Sequence, residues 1–248
     1  TIWLLAQTLI PIASACTAVP TPPPPVPNGT GRVTSVGTSK TTPGSSPAGA
    51  SLVSIGFNSA GQRCSALGAL FVQEDIADRV SELLAGYMDE LNIGDPRKLS
   101  TDVGPVIDEH SRAALLAHVA GMTKRSRWHH VCKSTAEHEQ GLFVPPAVIE
   151  IDDLAQLKGE VFGPIVHLVR FSGNRLDGVI DAVNATGYGL TLGVHTRIDA
   201  VARYISSRVR AGNVYVNRNI IGAVVGVQPF GGLGLSGTGP KAGGPYYL

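Results

Sequence analysis

From residue 69 onward, short apolar runs alternate with stretches in which apolar residues recur every three or four positions. The run "ALFVQ" at 69–73 predicts a strand, and residues 74–91 follow with apolar side chains at helical spacing and acids in the first turn. Strands that alternate with helices favour an α/β fold with a largely parallel sheet flanked by helices. The other predicted strands are 141–151, 164–171, 190–196 and 212–217, and the other predicted helices are 109–122, 175–185 and 197–210.

The first 51 residues have a different composition. Residues 20–27 read "PTPPPPVP", and residues 28–51 are mostly Gly, Ser, Thr and Pro, so this stretch lacks the apolar side chains that would offset the entropy of ordering it. Residues 1–15 are apolar, like the core of a secretory signal, but they lack its positively charged start and are too short to span a bilayer. We predict a low-complexity, disordered leader of unclear origin over 1–51 and one folded domain over 52–248.

The charge balance and the cysteines exclude several classes of protein. A net charge of +1 gives no electrostatic reason to expect nucleic acid or an anionic membrane as a partner. Cys16, Cys64 and Cys132 are widely spaced, so neither a zinc site nor a disulfide framework is indicated, and we expect a reducing, cytoplasmic compartment. The "WHH" at 128–130 has no carboxylate or third His at ligand spacing, which predicts a surface loop and no metal.

Residues 232–237 read "GLGLSG" and match the dinucleotide-binding pattern G-x-G-x-x-G. That site requires a strand before the glycines and a helix that opens on them, within a βαβ unit of about thirty residues. Eleven residues follow Gly237 in this sequence, and they include Pro240 and Pro245, so neither a helix nor a second strand fits. We interpret the segment as a glycine-rich surface loop.

Three separated stretches carry the candidate chemistry: "SAGQRCS" at 59–65, "GEVFGP" at 159–164 and "NRNIIGAVVGVQPFGGLGLSG" at 217–237. With "GDPRKLSTDVGPVID" at 94–108 they occur in the order of the aldehyde dehydrogenase family, which the chain resembles from about residue 56 to its C-terminus. The most similar branch is the L-glutamate γ-semialdehyde (Δ1-pyrroline-5-carboxylate) dehydrogenase module of bacterial bifunctional proline-utilisation enzymes. The resemblance implies a catalytic domain without most of the Rossmann cofactor domain. It also implies NAD-dependent oxidation of the semialdehyde to L-glutamate, the second step of proline catabolism.

Cys64 is the candidate nucleophile. A lone cysteine is more often a small buried hydrophobe, but the "GQRCS" frame resembles the family's catalytic loop. The resemblance implies that the Cys64 thiolate adds to the aldehyde carbon and that the Cys64 backbone N–H stabilises the oxyanion. The small residues at 59–61 would let a substrate approach the backbone closely.

Glu160 and Phe162 are the candidate cofactor residues. Without the resemblance, Glu160 would be read as a solvated acid and Phe162 as part of the core. In the family's "ExFGP" pattern, the Glu binds the nicotinamide ribose hydroxyls and the Phe lies against the nicotinamide ring. A carboxylate suits two hydroxyls because it only accepts hydrogen bonds.

Ser65, Gly222, Ala223 and Phe230 are the candidate substrate residues. In the semialdehyde branch, a Gly-Ala pair binds the α-carboxylate through backbone N–H groups, and the Ser after the catalytic Cys assists. These positions match Gly222, Ala223 and Ser65, and Phe230 matches the aromatic wall of the aldehyde tunnel. The alternative for Gly222 and Ala223 is an ordinary turn.

Parts of the family's apparatus have no match ahead of Cys64. Residues 1–63 contain no Glu to act as general base, and Asn28 and Asn58 do not stand in the context of the family's oxyanion Asn. Gly68 and Gly159 replace residues that are usually longer. A second class of function therefore stays open, an inactive remnant or a partner-binding scaffold. We also expect association with the rest of a proline-utilisation enzyme or with further copies of the chain.

Overall fold

A seven-stranded sheet organises the chain in the computed structural model, which describes residues 2–7, 48–224 and 226–247. The strands of the protein are β1 (Ile2–Gln7), β2 (Leu67–Gln73), β3 (His129–Val131), β4 (Ala147–Ile151), β5 (Ile165–Phe171), β6 (Tyr188–Gly189), β7 (Thr191–Thr196), β8 (Asn213–Val216) and β9 (Leu233–Gly234). The α-helices are α1 (Ala48–Phe57), α2 (Glu74–Asp89), α3 (Glu109–Thr123), α4 (Ala136–Glu139), α5 (Leu176–Ala185) and α6 (Asp199–Arg208).

The strand order is β3-β4-β5-β2-β1-β7-β8, and β6 pairs with β9 in a separate two-stranded sheet. The pairs β4–β5, β5–β2 and β7–β8 are parallel, whereas β1 runs antiparallel to both of its neighbours and β3 is antiparallel at one edge. Five of the seven strands therefore point the same way. The predicted α/β class is confirmed, with a mixed sheet that is largely parallel.

Residues 2–7 belong to the predicted leader, yet they form β1 between β2 and β7. This strand joins the two parallel parts of the sheet, and α1 begins at Ala48, ahead of the predicted boundary at residue 52. The remainder of the predicted leader, residues 8–47, lies outside the described residues. The division of the chain into leader and domain stays a prediction.

Two local predictions were wrong. The strand predicted over 141–151 is confined to β4, since Pro145 and Pro146 have no N–H to donate to a ladder. The "WHH" segment, predicted as a loop, enters edge strand β3, where His130 Nε2 lies 3.0 Å from Asp89 Oδ1. The "GLGLSG" loop contains the two residues of β9, whose Leu233 pairs with Gly189 of β6.

Helix α3 is attached to the sheet by a pair of histidines. His118 Nε2 on α3 lies 2.9 Å from His167 Nε2 on β5, and His167 Nδ1 lies 3.0 Å from the carbonyl oxygen of Gly68. Because that carbonyl only accepts, His167 Nδ1 carries the hydrogen and His167 Nε2 accepts from His118. Burial lowers the pKa of His167 to about 4, which keeps the ring neutral in this contact.

An ion-pair network fastens β4 and β5 to α2. Arg170 donates to both oxygens of Glu150, at 2.9 and 3.0 Å, and to Asp78 Oδ1 at 2.6 Å. The Glu150 side chain is 7% exposed, whereas that of Asp78 is 91% exposed. The pair with Glu150 is therefore the one that water screens least.

Within the described part of the chain, none of the helices combines the length and the apolar character that a membrane span requires.

Arg170→Met should lower the free energy of unfolding by about 3–5 kcal/mol, because it leaves the buried Glu150 carboxylate without its partner. Asp78→Asn is the matched control. It removes only an exposed pair and should cost less than about 1 kcal/mol. Urea denaturation of the three proteins measures both values. Equal losses in the two variants would show that the buried pair does not dominate the network.

Candidate active site

Cys64 lies in a turn between the end of α1 and the start of β2. The backbone before it has positive φ at three consecutive residues, 56° at Ser59, 52° at Ala60 and 65° at Gly61. Such values are uncommon for residues with a Cβ, so this segment is locally strained. Cys64 is exposed, and its backbone N–H has no acceptor within the described part of the chain. One exposed residue thus carries both a thiol and a backbone donor without an acceptor among the described residues.

The cysteine turn lies directly against the "GEVFGP" segment. A Cβ at residue 61 would lie 2.1 Å from the carbonyl oxygen of Gly163, so only glycine permits this approach. Gly163 is itself covered by Leu115 of α3, whose side chain would clash with a Cβ there at 2.5 Å. Two of the three motif stretches are therefore in backbone contact.

Gln62 attaches a further segment to the cysteine turn. Its Oε1 accepts a hydrogen bond from the backbone N–H of Ile107 at 3.0 Å, and the Ile107 side chain is 76% exposed. The contact spans 45 residues of sequence and places the "VGPVID" end of the 94–108 stretch beside the turn. Nothing in the local sequence around Gln62 predicted this role.

Ser65 joins the cysteine turn to the third stretch. Its side chain is buried, and Oγ accepts a hydrogen bond from the backbone N–H of Gly222 at 3.1 Å. Gly222 has a φ of 64°, and Ala223 beside it is half-buried. The structure therefore brings the Cys64–Ser65 pair next to the Gly222 turn, which is 157 residues further along the sequence from Ser65.

Two residues that the sequence did not single out hold the other side of this turn. The Tyr215 hydroxyl donates to the carbonyl oxygen of Gly222 at 2.7 Å, and Gln228 Nε2 donates to the Tyr215 hydroxyl oxygen at 3.0 Å. Tyr215 is an inward residue of β8, where an aromatic side chain is typical of core packing. Its sequence context therefore gave no signal of a polar role.

Phe230 lies further along the third stretch. Its backbone pairs with Ala242 through two hydrogen bonds of 3.0 Å each, which hold the loops at 230 and 242 side by side. No hydrogen bond or ring contact joins Phe230 to Cys64 in the described residues. Its predicted place in an aldehyde tunnel stays a prediction.

Glu160 has a carboxylate oxygen without a partner. Oε1 is buried and forms no hydrogen bond within the described chain, and burial raises the pKa of Glu160 to about 7. A buried acceptor without a donor is uncommon in folded proteins and is expected where a ligand supplies the donor. Phe162, two residues on, is half-buried.

A cavity of about 520 Å³ adjoins the Glu160 segment. Its lining includes Gly159 and Val161 on either side of Glu160, together with Gly68 at the start of β2. The two glycines that replace longer residues of the family, Gly68 and Gly159, thus border the same space. Cys64, Glu160 and Phe162 are not among the lining residues, so the cavity lies beside these candidate residues rather than over them.

The other described cysteine has the opposite environment. Cys132 is buried, its thiol donates to the carbonyl oxygen of Met88 at 3.3 Å, and burial raises the pKa of the thiol to about 12. A thiol in this state is a poor nucleophile. The described residues contain no cluster of three or more His, Cys, Asp or Glu side chains that would hold a metal ion.

Comparison with known proteins gives the family context of this site. The model of the "Aldehyde dehydrogenase family" matches residues 46–248. The chain is 52% identical over 199 residues to the bifunctional protein PutA of Escherichia coli (strain K12), covering 77% of this chain and 15% of that protein. It is 34% identical over 200 residues to the 1-pyrroline-5-carboxylate dehydrogenase of Geobacillus kaustophilus, covering 80% of this chain and 38% of that protein.

Solved structures show the same fold. A crystal structure of a Bradyrhizobium japonicum proline utilization A (PutA) mutant superposes with a TM-score of 0.76 at 55% identity, covering 80% of this chain and 20% of that one. Betaine aldehyde dehydrogenase of Staphylococcus aureus, solved in complex with NAD+, superposes with a TM-score of 0.69 at 25% identity, covering 79% of this chain and 40% of that one. The chain spans about 15% of the length of the PutA proteins that it matches.

Proposed function

Because the chain belongs to the aldehyde dehydrogenase family, as its motifs indicated, we propose that it carries the thiol-bearing site of an NAD-dependent enzyme that oxidises L-glutamate γ-semialdehyde to L-glutamate. The observation that carries the proposal is the convergence of three stretches. Gly61 contacts the backbone of Gly163 in the "GEVFGP" segment, and Ser65 accepts a hydrogen bond from Gly222 in the third stretch. Both contacts are made by residues of the turn that holds the exposed Cys64.

In the proposed reaction the Cys64 thiolate adds to the aldehyde carbon, and the carbonyl electron pair moves onto the oxygen. The unengaged Cys64 N–H donates to that oxyanion, as backbone donors do in related acyl-transfer chemistry. Glu160 and Phe162 would hold NAD, which would supply the acceptor for the hydride that leaves this carbon. Loss of the hydride leaves the carbon as the carbonyl carbon of a thioester on Cys64. Water then cleaves the thioester and releases the new carboxylate, with the thiolate as leaving group.

Glu160 and Phe162 would hold the nicotinamide end of the cofactor. The buried Glu160 Oε1 without a donor fits a ribose hydroxyl, which is a donor. The cavity of about 520 Å³ is lined by the chain neighbours Gly159 and Val161 and not by Glu160 itself. Phe162 offers an apolar surface two residues away. Supporting evidence for NAD is the family membership and the NAD+ complex of the betaine aldehyde dehydrogenase relative.

Ser65, Gly222, Ala223 and Phe230 would bind the part of the substrate remote from the aldehyde. In the structure the Gly222 N–H donates to Ser65 Oγ, so a substrate carboxylate at Gly222 would take the place of that oxygen. The 1-pyrroline-5-carboxylate dehydrogenase relatives favour this substrate. The PutA relatives are much longer than the matched region, which favours association of this chain with the rest of a proline-utilisation enzyme. A cytoplasmic location stays a prediction.

The substrate assignment is tested by the ability of aldehydes to protect Cys64 from iodoacetamide. L-Glutamate γ-semialdehyde should slow alkylation of the Cys64 peptide at concentrations at least about tenfold lower than butanal, which has neither carboxylate nor amino group. Alkylation of the Cys132 peptide is the internal control and should not respond to either aldehyde. Equal protection by both aldehydes would contradict the proposed substrate.

Nicotinamide mononucleotide should bind more tightly as the pH rises through about 7. Ionised Glu160 accepts from the ribose hydroxyls, whereas protonated Glu160 loses an acceptor, and the pKa of about 7 puts this change near neutrality. Below that pH the affinity should fall by up to about tenfold per pH unit. NMR titration at pH 6 and 8 measures it. Glu160→Gln should abolish the pH dependence and exposed Glu90→Gln should retain it; a pH-independent affinity in the unmodified protein would exclude Glu160.

A further inference from the structure

We propose that Tyr215 and Gln228 are positioning residues that fix the orientation of the Gly222–Ala223 peptide, and thereby the affinity of the site for the substrate's α-carboxylate. The inference rests on the proposed function and adds to it two residues outside the motif assignments. It is carried by a chain of hydrogen bonds that runs from Gln228 through Tyr215 to the carbonyl of Gly222.

The Gly222 turn is uncrowded, and its glycine is required by backbone conformation rather than by packing. A Cβ at Gly222 would meet no atom within 4 Å, so packing does not require glycine there. The φ of 64° does require it, because this left-handed conformation is costly for most other residues. The turn therefore has open space on the side where a Cβ would lie.

The peptide between Gly222 and Ala223 is planar, and its C=O and N–H point in opposite directions. The Tyr215 hydroxyl holds the Gly222 carbonyl oxygen at 2.7 Å, so it also fixes the direction of the Ala223 N–H. That N–H has no acceptor in the described part of the chain. An oriented and unengaged backbone donor is what a carboxylate requires.

Gln228 determines the direction of the Tyr215 hydrogen. Because Gln228 Nε2 donates to the hydroxyl oxygen at 3.0 Å, the hydroxyl hydrogen is left to donate to Gly222. The Tyr215 residue is 5% exposed, and burial raises the pKa of its hydroxyl, so the donor stays protonated. Arg218, whose guanidinium carbon lies 4.6 Å from the Tyr215 ring centroid, adds a positive charge to the same segment.

Removing the hydroxyl would free the 222–223 peptide to rotate while leaving the aromatic ring in place. The Ala223 N–H would then be oriented only part of the time. We expect the site to lose affinity for an α-carboxylate by about fivefold to tenfold, the effect of one hydrogen bond. Binding that does not involve the α-carboxylate should not change.

The experiment measures protection of Cys64 from iodoacetamide by two matched ligands, L-glutamate and 4-aminobutanoate, which is glutamate without its α-carboxylate. In Tyr215→Phe the concentration of glutamate needed for half-protection should rise about fivefold to tenfold, and that of 4-aminobutanoate should stay constant. Gln228→Leu should shift the glutamate value in the same direction by a smaller factor. Tyr204→Phe, whose hydroxyl donates to Asp177 away from these loops, is the control and should change neither value.

The outcomes separate this inference from the proposed function. Protection of the unmodified protein by glutamate, together with unchanged glutamate values in Tyr215→Phe and Gln228→Leu, would overturn the inference alone. Equal losses for both ligands would also overturn it, because they would indicate a general structural role. An absence of glutamate protection in the unmodified protein would overturn both. If thermal unfolding shows that Tyr215→Phe does not fold, the Gln228→Leu result decides.

Discussion

Iodoacetamide should alkylate Cys64 at least about 10³-fold faster than Cys132 in the folded protein at pH 8. Alkylation proceeds through the thiolate, and burial raises the pKa of Cys132 to about 12. Its thiolate fraction at pH 8 is therefore on the order of 10⁻⁴. The Cys132 thiol is also enclosed by the core and donates to the Met88 carbonyl, whereas Cys64 is exposed at its turn.

The rates are obtained by quenching the reaction at intervals and quantifying the Cys64 and Cys132 peptides by mass spectrometry. Denaturant provides the control, since both thiols should react at similar rates once the fold is lost. Slow and equal alkylation of both peptides in the folded protein would contradict a reactive Cys64.

The polypeptide of residues 1–248, on its own, should form NADH from glutamate semialdehyde and NAD very slowly. The family resemblance assigns thioester hydrolysis to a Glu ahead of the cysteine, and residues 1–63 contain none. General base catalysis contributes about 10²–10⁴-fold to rate. The Asn of the oxyanion hole is likewise unmatched, and loss of one such donor costs about 10²–10³-fold. Cofactor held only through Glu160 and Phe162 would also lack remote binding energy for positioning.

Absorbance of NADH measures this rate, with Cys64→Ala and Glu160→Ala as controls. Robust NADH production that disappears in Cys64→Ala would contradict the prediction and show that another residue of the polypeptide supplies the base. A slow rate in all three proteins agrees with it and also favours the second class of function, an inactive remnant or scaffold.

Most elements of the fold could be predicted because their patterns are local. Helix α2 buries Ala77, Val80, Leu84 and Met88 on one face, and its acids occupy the first turn as the sequence indicated. Strands β5 and β7 are buried at all but one position each, as expected for strands covered on both faces. Edge strand β3 was missed because three residues at a sheet edge carry no alternating pattern.

The position of β1 could not be predicted, because a short apolar segment does not specify its partners. Its pairing with β2 and β7 depends on a position in the sheet between two strands that are distant in sequence.

Long-range contacts also limited what could be predicted about the candidate site. The motif residues were identified by resemblance, but the Gly61–Gly163 approach, the Gln62–Ile107 bond and the Tyr215 hydroxyl are long-range contacts. They follow from the packing of whole segments, so no local pattern encodes them.

The central claim, that Cys64 bonds covalently to the substrate's aldehyde carbon, is tested most directly by ¹³C NMR with L-glutamate γ-semialdehyde labelled at that carbon. Addition of the thiolate converts the carbonyl carbon into a tetrahedral carbon bonded to sulfur and oxygen, and no cofactor is needed. The account predicts a protein-bound hemithioacetal resonance that is present in the unmodified protein and in Cys132→Ala and absent in Cys64→Ala. A resonance that survives in Cys64→Ala, or no such resonance in the unmodified protein, would contradict it.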